Sequence, residues 1–113
     1  MIELGIWSGI GLLTGLLAGL VPGAGPFVAI GVLYPFLAST SAVNIMACYV
    51  AILITTNYTN SVTAILYGIP GDATAISTAR YGHKMFQKGA GGLAVTSNAI
   101  SSTVGVAFAM CLF

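Results

Sequence analysis

The sequence predicts an all-α, multi-pass membrane protein with helices that are broken or re-entrant at Pro22–Pro26 and at Pro70–Gly71. Three observations predict it. No charged residue occurs from Leu4 to Gly71, and none from Gly89 to Phe113. Only 4% of the 113 residues are charged while 58% are hydrophobic, against about 25% charged in soluble domains. Glycines recur at every fourth position from Gly11 to Gly23, the spacing that lets helix backbones approach closely in lipid. The first charge-free stretch far exceeds the ~20 apolar residues that cross a bilayer, so several crossings or re-entrant segments fit inside it.

The first helix is expected over residues 4–21, about 27 Å of rise and close to the hydrocarbon thickness. The residues before it are Met1, Ile2 and Glu3, with no Lys or Arg. A secretory signal needs a basic start and a short apolar run, so this segment reads as a mature membrane helix. Pro22-Gly23-Ala24-Gly25-Pro26 ends it, because two prolines and two glycines in five residues cannot continue a regular helix. A stretch at 27–37 follows, too short for a straight crossing and therefore read as a half-helix or the returning arm of a broken hairpin.

Ala38-Ser39-Thr40-Ser41 reads as a turn. The next helix is expected over 42–67, long enough to span with tilt. Its centre carries Thr55-Thr56-Asn57-Tyr58-Thr59-Asn60-Ser61, seven polar-capable side chains in a row. Gly68-Ile69-Pro70-Gly71 breaks the chain a second time. Residues 72–88 hold Asp72, Arg80, His83, Lys84 and Lys88, and the excess of basic residues predicts a cytoplasmic segment. The last helix is expected over 93–113. On it Ser97, Ser101, Gly105 and Ala109 form a second small-residue stripe. Gly11, Gly15, Gly19, Ser101 and Gly105 are thus the candidate packing positions, and they call for partner helices as well as the lipid bilayer.

Several function classes fall away. A net charge of +1 gives no electrostatic basis for a nucleic-acid partner. Cys48 and Cys111 match no zinc or redox spacing. The sole histidine, His83, has no metal partner set, and no nucleophile–base pair can be drawn, so neither a metal site nor an enzyme is expected.

Two regions carry candidate chemistry. At the first break, freed backbone groups need partners, and the helix that follows presents N–H groups suited to a carboxylate. The alternative is a plain Pro-Gly kink or surface loop. In the second region Thr56, Asn60, Thr63 and Tyr67 share one helix face. Such hydroxyls and amides bind a polar solute or a sodium ion, or else hydrogen-bond to a neighbouring helix. The solute-path candidates are Pro22, Gly23, Gly25, Pro26, Thr56, Asn57, Asn60, Ser61, Pro70, Gly71 and Asp72. Asp72 has a second reading as a helix N-cap.

These motifs resemble a known family. Gly15-x3-Gly19-x2-Pro22-Gly23-x-Gly25-Pro26, then Pro35, is similar to the opening motif of the TctA family, the large membrane subunits of tripartite tricarboxylate transporters. Ser61-x2-Ala64-Ile65-Leu66-x2-Ile69-Pro70-Gly71, then Thr78-Ala79, Gly82, Met85, Lys88-Gly89 and Ala90-Gly91, resembles its second motif. The resemblance implies carboxylate uptake across the prokaryotic inner membrane, driven by a sodium ion or proton gradient. It implies a small membrane subunit and a periplasmic solute-binding protein as partners. It also implies that this chain is the N-terminal portion of a longer subunit, completed by the remainder of that subunit or by self-association. Tyr81 and Lys84 stand where the family usually has an acidic residue and a proline, and Asn57 and Asn60 where many members have glycines. The rival expectation is a small structural or assembly membrane protein with no transport of its own.

Overall fold

The computed structural model describes residues 1–113, which form five α-helices and a short 3₁₀ turn with no strand. Helix α1 runs Ile2–Leu20, α2 Gly25–Leu37, α3 Ala42–Tyr67, α4 Ile76–Gln87 and α5 Gly91–Leu112. Helices α1, α3 and α5 are long and apolar enough to cross a membrane, whereas α2 has only 13 residues.

The helix ends follow local chemistry. Helix α1 starts earlier than expected and takes in Glu3, whose charge suits the positive end of the helix. It stops at Leu20, and the chain turns through Gly23 at φ 88°. Helix α2 begins at Gly25, so part of the first break is already helical, and Pro26 occupies its first turn, where a missing N–H costs nothing. Helix α3 ends on Gly68 at φ 70°, whose N–H donates to the Ala64 carbonyl at 2.9 Å, the left-handed cap that glycine adopts without strain. Gly91 and Gly92 belong to α5 and do not stand outside it.

Helices α1 and α3 run side by side in the same direction. Gly11 lies against Cys48, Gly15 against Ile52 and Gly19 against Thr59. A methyl added at Gly11 would sit 2.6 Å from the Cys48 carbonyl oxygen, and one at Gly19 2.5 Å from the Thr59 Cβ. Only glycine permits this approach. Helix α2 returns alongside both, and Ala29, Leu33 and Leu37 pack with Cys48 and Ile52 as the main apolar core.

After α3 the chain doubles back. Gly71 lies against Asn60, whereas Gly82 and His83 lie against Ile65 and Gly68. The second break therefore drops back from Tyr67 to the level of Asn60, seven residues or about 10 Å along α3. Helix α4 then climbs again beside α3, with Ala75 and Ala79 buried against Ala64. The segment expected at the cytoplasmic surface is thus a helix whose small face packs on α3, while Arg80, Lys84 and Lys88 remain exposed.

Helix α5 is the least covered element, with Ala94 its one buried residue. Ser101 is exposed and Gly105 has open space around it, so the second small-residue stripe meets no partner within this chain. The packing expected of these two residues is not made here, because α5 turns a different face, that of Asn98 and Ser102, toward α3.

Candidate solute-binding cleft

The polar centre of α3 wraps round the helix, and its two faces meet different surroundings. On the face toward α1, the Thr56 hydroxyl donates to the Gly15 carbonyl at 3.2 Å, and Thr63 donates to the Gly19 carbonyl at 3.0 Å. Both threonines are fully or nearly fully buried. The close approach that the glycines allow brings their carbonyls within reach of these hydroxyls. Thr56 therefore serves interhelical bonding, and its expected place on a solute path is not what this face provides. Tyr67, placed on the same helix face by sequence periodicity, is exposed.

The other face opens into a cleft of about 420 Å³ between α3, the start of α4 and α5. Ile54, Asn57, Tyr58 and Ser61 line it from α3, Thr74 and Thr78 from the α4 side, and Asn98, Ser102 and Val106 from α5. No charged side chain is among them. The spacing is regular, since Asn57 and Ser61 are four residues apart on α3, as are Asn98 and Ser102 on α5.

The hydrogen bonds already made limit what the cleft offers. Asn57 Nδ2 donates to the Leu53 carbonyl at 2.8 Å, Ser61 to the Asn57 carbonyl at 3.1 Å and Ser102 to the Asn98 carbonyl at 2.9 Å. Each of these donors is held on its own helix. Asn57 Oδ1, the second Nδ2 hydrogen and the hydroxyl oxygens are left for a guest. Amides bind a carboxylate through N–H or a cation through oxygen, so the cleft suits a polar guest of either sign.

The second break sits beside this cleft. Non-helical backbone at membrane depth is tolerated where it is covered by protein or lines a cavity, and this segment leads directly into Thr74 and Thr78. Gly71 covers Asn60, which is 1% exposed, and neither Asn60 Oδ1 nor Nδ2 has a hydrogen-bond partner. An unpaired buried polar group costs about 1–3 kcal/mol. Pro70 is half-buried in the same segment. Asp72 Oδ1 accepts from the Ala73 N–H at 2.6 Å, capping the 3₁₀ turn Ala73–Ala75, and its side chain does not line the cleft.

The first break lies elsewhere. Pro22, Gly23, Gly25 and Pro26 form the turn between α1 and α2, and none of them lines the cleft. The first turn of α2 has no side-chain cap.

Sequence reading missed Thr74, Thr78, Asn98 and Ser102 as cleft residues. The available signal was the Asn98–Ser102 pair, since an asparagine inside an apolar spanning helix needs a reason. It also missed His83, whose Nδ1 lies 3.0 Å from the Ile65 carbonyl near the end of α3 and whose Nε2 lies 3.1 Å from Gln87 Nε2. With Nδ1 protonated, His83 donates to a carbonyl of the last turn of α3 and accepts from Gln87, closing that helix end.

Comparisons with known proteins show the family of the chain. The model of the tripartite tricarboxylate transporter TctA family matches residues 6–113. An uncharacterized 52.8 kDa protein of Agrobacterium vitis, described as lying in the TAR-I ttuC' 3' region, is 35% identical over 97 residues. That match covers 86% of this chain and 19% of the relative, so the chain spans about a fifth of the relative's length. No solved structure matches.

Proposed function

The chain belongs to the tripartite tricarboxylate transporter TctA family, and from that premise we propose that it forms part of the solute path of a carboxylate transporter. It is a membrane transporter component, with three helices fit to span. The solute in this reading is a tricarboxylate or related carboxylate, carried across the inner membrane on a sodium ion or proton gradient. A small membrane subunit and a periplasmic solute-binding protein complete the assembly, together with the rest of the large subunit or further copies of this chain. The protein acts as a carrier and not as an enzyme.

One observation carries the proposal. Three elements that are otherwise apolar or small-faced turn amides and hydroxyls toward one cleft beside a doubled-back segment of backbone. Polar side chains facing a cavity at membrane depth mark solute and ion pathways. Asn57, Ser61, Thr74, Thr78, Asn98 and Ser102 are the residues assigned to it. A carboxylate is held there by N–H and O–H donors. Its charge is balanced by the coupling cation or by groups outside this chain, since the lining is neutral.

The test is uptake of labelled citrate and a panel of other carboxylates into proteoliposomes. The chain is assayed alone and with its partner subunits, under an inward sodium or proton gradient. Gradient-driven uptake is expected with the partners present. Asn98→Leu should lower it about ten-fold or more, the loss of one hydrogen bond to a charged group, with insertion unchanged. Full uptake in that variant would sink the assignment of the cleft. Failure of the whole panel, with or without partners, would favour a structural role.

A further inference from the structure

Asn60 is the buried polar side chain that the packing leaves without partners. It lies on α3 three residues after Asn57 and one before Ser61, and both of those line the cleft. Residues three apart are neighbours on a helix surface, so the Asn60 amide stands next to the cleft wall. The second break lies over it. A methyl at Gly71 would lie 2.5 Å from Asn60 Oδ1, so the backbone there rests directly on the amide.

The covering segment is weakly tied. Gly68 donates to the Ala64 carbonyl, and the chain is next held where Ala73 donates to Asp72 Oδ1 and Ala75 to the Asp72 carbonyl. Ile69, Pro70 and Gly71 between these points make no backbone hydrogen bond. Gly68, in the left-handed conformation, ends α3 at one side of this segment. Covering Asn60 leaves both amide atoms unpaired, and uncovering it gives them partners. The segment runs on into Thr74 and Thr78, so any movement of it reshapes the cleft.

We propose that Asn60 is a concealed solute-binding amide: Ile69–Gly71 covers it in this structure, and when that segment lifts, the amide joins Asn57 and Ser61 in the cleft wall. This rests on the reading of the cleft as a carboxylate path. Uncovered, Asn60 Nδ2 donates to a carboxylate oxygen of the solute, and Oδ1 accepts from water or a solute hydroxyl. Gly71 is the residue that permits closure, since a side chain there would meet the amide.

The test is thiol labelling of the chain with the rest of its transporter in membrane vesicles, in a Cys48→Ala, Cys111→Ser background. A small water-soluble methanethiosulfonate is applied to the Asn57→Cys and Asn60→Cys variants, with and without citrate. The thiol at position 57 should label fast and the thiol at position 60 several-fold more slowly, with citrate slowing both. If the position 60 thiol stays unlabelled while the position 57 thiol labels and is protected by citrate, the cleft reading stands and the concealed amide is overturned. Labelling of both thiols with no effect of citrate on either overturns the two readings together. Asn60→Leu gives a measurement independent of labelling. Its affinity for citrate should fall about ten-fold. Wild-type affinity there would equally overturn the proposal.

Discussion

The two sides of α3 use similar side chains to opposite ends. Toward α1, Thr56 and Thr63 are buried and hydrogen-bonded to carbonyls that the glycine stripe brings close. Toward α4 and α5, Asn57 and Ser61 face open space, and Asn60 beside them is buried with nothing to bond. The first side is dense and satisfied, as a static interface should be. The second is loose and incompletely satisfied, as a surface should be if it meets a solute or moves. The difference lies in what stands opposite. Glycines on α1 admit the α3 backbone, whereas a doubled-back break and a barely covered α5 do not close over their side.

The strongest way to break this comparison is to add bulk to the tight side. Gly11→Leu or Gly19→Leu forces a side chain into the Cys48 carbonyl or Thr59, within 2.6 Å and 2.5 Å of the first added carbon. Loss of more than about 3 kcal/mol is expected, read as a collapsed SDS-unfolding midpoint of detergent-purified protein. Gly105→Leu is the control, since nothing lies within 4 Å of it. Equal behaviour of the three variants would refute the contrast.

The next effect belongs to the loose side. Gly71→Ala places a methyl against Asn60 and should destabilise the chain by about 1–3 kcal/mol. Asn60→Ala removes the obstruction, so the double variant Asn60→Ala/Gly71→Ala should recover most of the loss. An additive pair of effects would mean that the two residues do not touch.

How far the sequence foretold these features depended on whether local chemistry settled them. Pro22, Gly23 and Gly68 end or turn helices by their own backbone preferences, so the breaks were legible. The Gly11–Gly15–Gly19 stripe was legible because its period matches a helix face. The two faces of α3 were not, because seven polar residues in succession surround the helix and do not say which side is covered. On α5 the small stripe through Ser101 and Gly105 and the polar pair Asn98–Ser102 differ by one residue, a rotation of about 100°. Only the position of α3 chooses between them. Helix α4 looked interfacial because its charges dominate, yet Ala75, Ala79 and Gly82 hold it against α3. Gly71 lying on Asn60 follows from the chain doubling back, which no local pattern announces.

A smaller effect sharpens the comparison by separating stability from transport. Thr56→Val and Thr63→Val each remove one interhelical hydrogen bond, worth about 0.6 kcal/mol on average in membrane proteins. A small drop in the unfolding midpoint is expected with uptake unchanged, opposite to the pattern for Asn98→Leu. Impaired uptake in a stable Thr56→Val variant would move the solute path to the α1 side.

The smallest effect concerns Asp72, the acidic residue nearest the cleft in sequence. In the structure its carboxylate oxygen accepts from the Ala73 N–H, and it caps the turn that leads into α4. Asparagine caps about as well as aspartate, because either offers the same side-chain oxygen to the backbone. Asp72→Asn should therefore leave both the unfolding midpoint and citrate uptake near wild type, whereas Asp72→Ala should cost about 1 kcal/mol. A carboxylate that carried the coupling ion would behave otherwise, since removing its charge while keeping its shape would abolish gradient-driven uptake in a fully folded protein. Uptake by the Asp72→Asn variant thus decides whether the loose side works with neutral groups alone or also with the one acid at its edge.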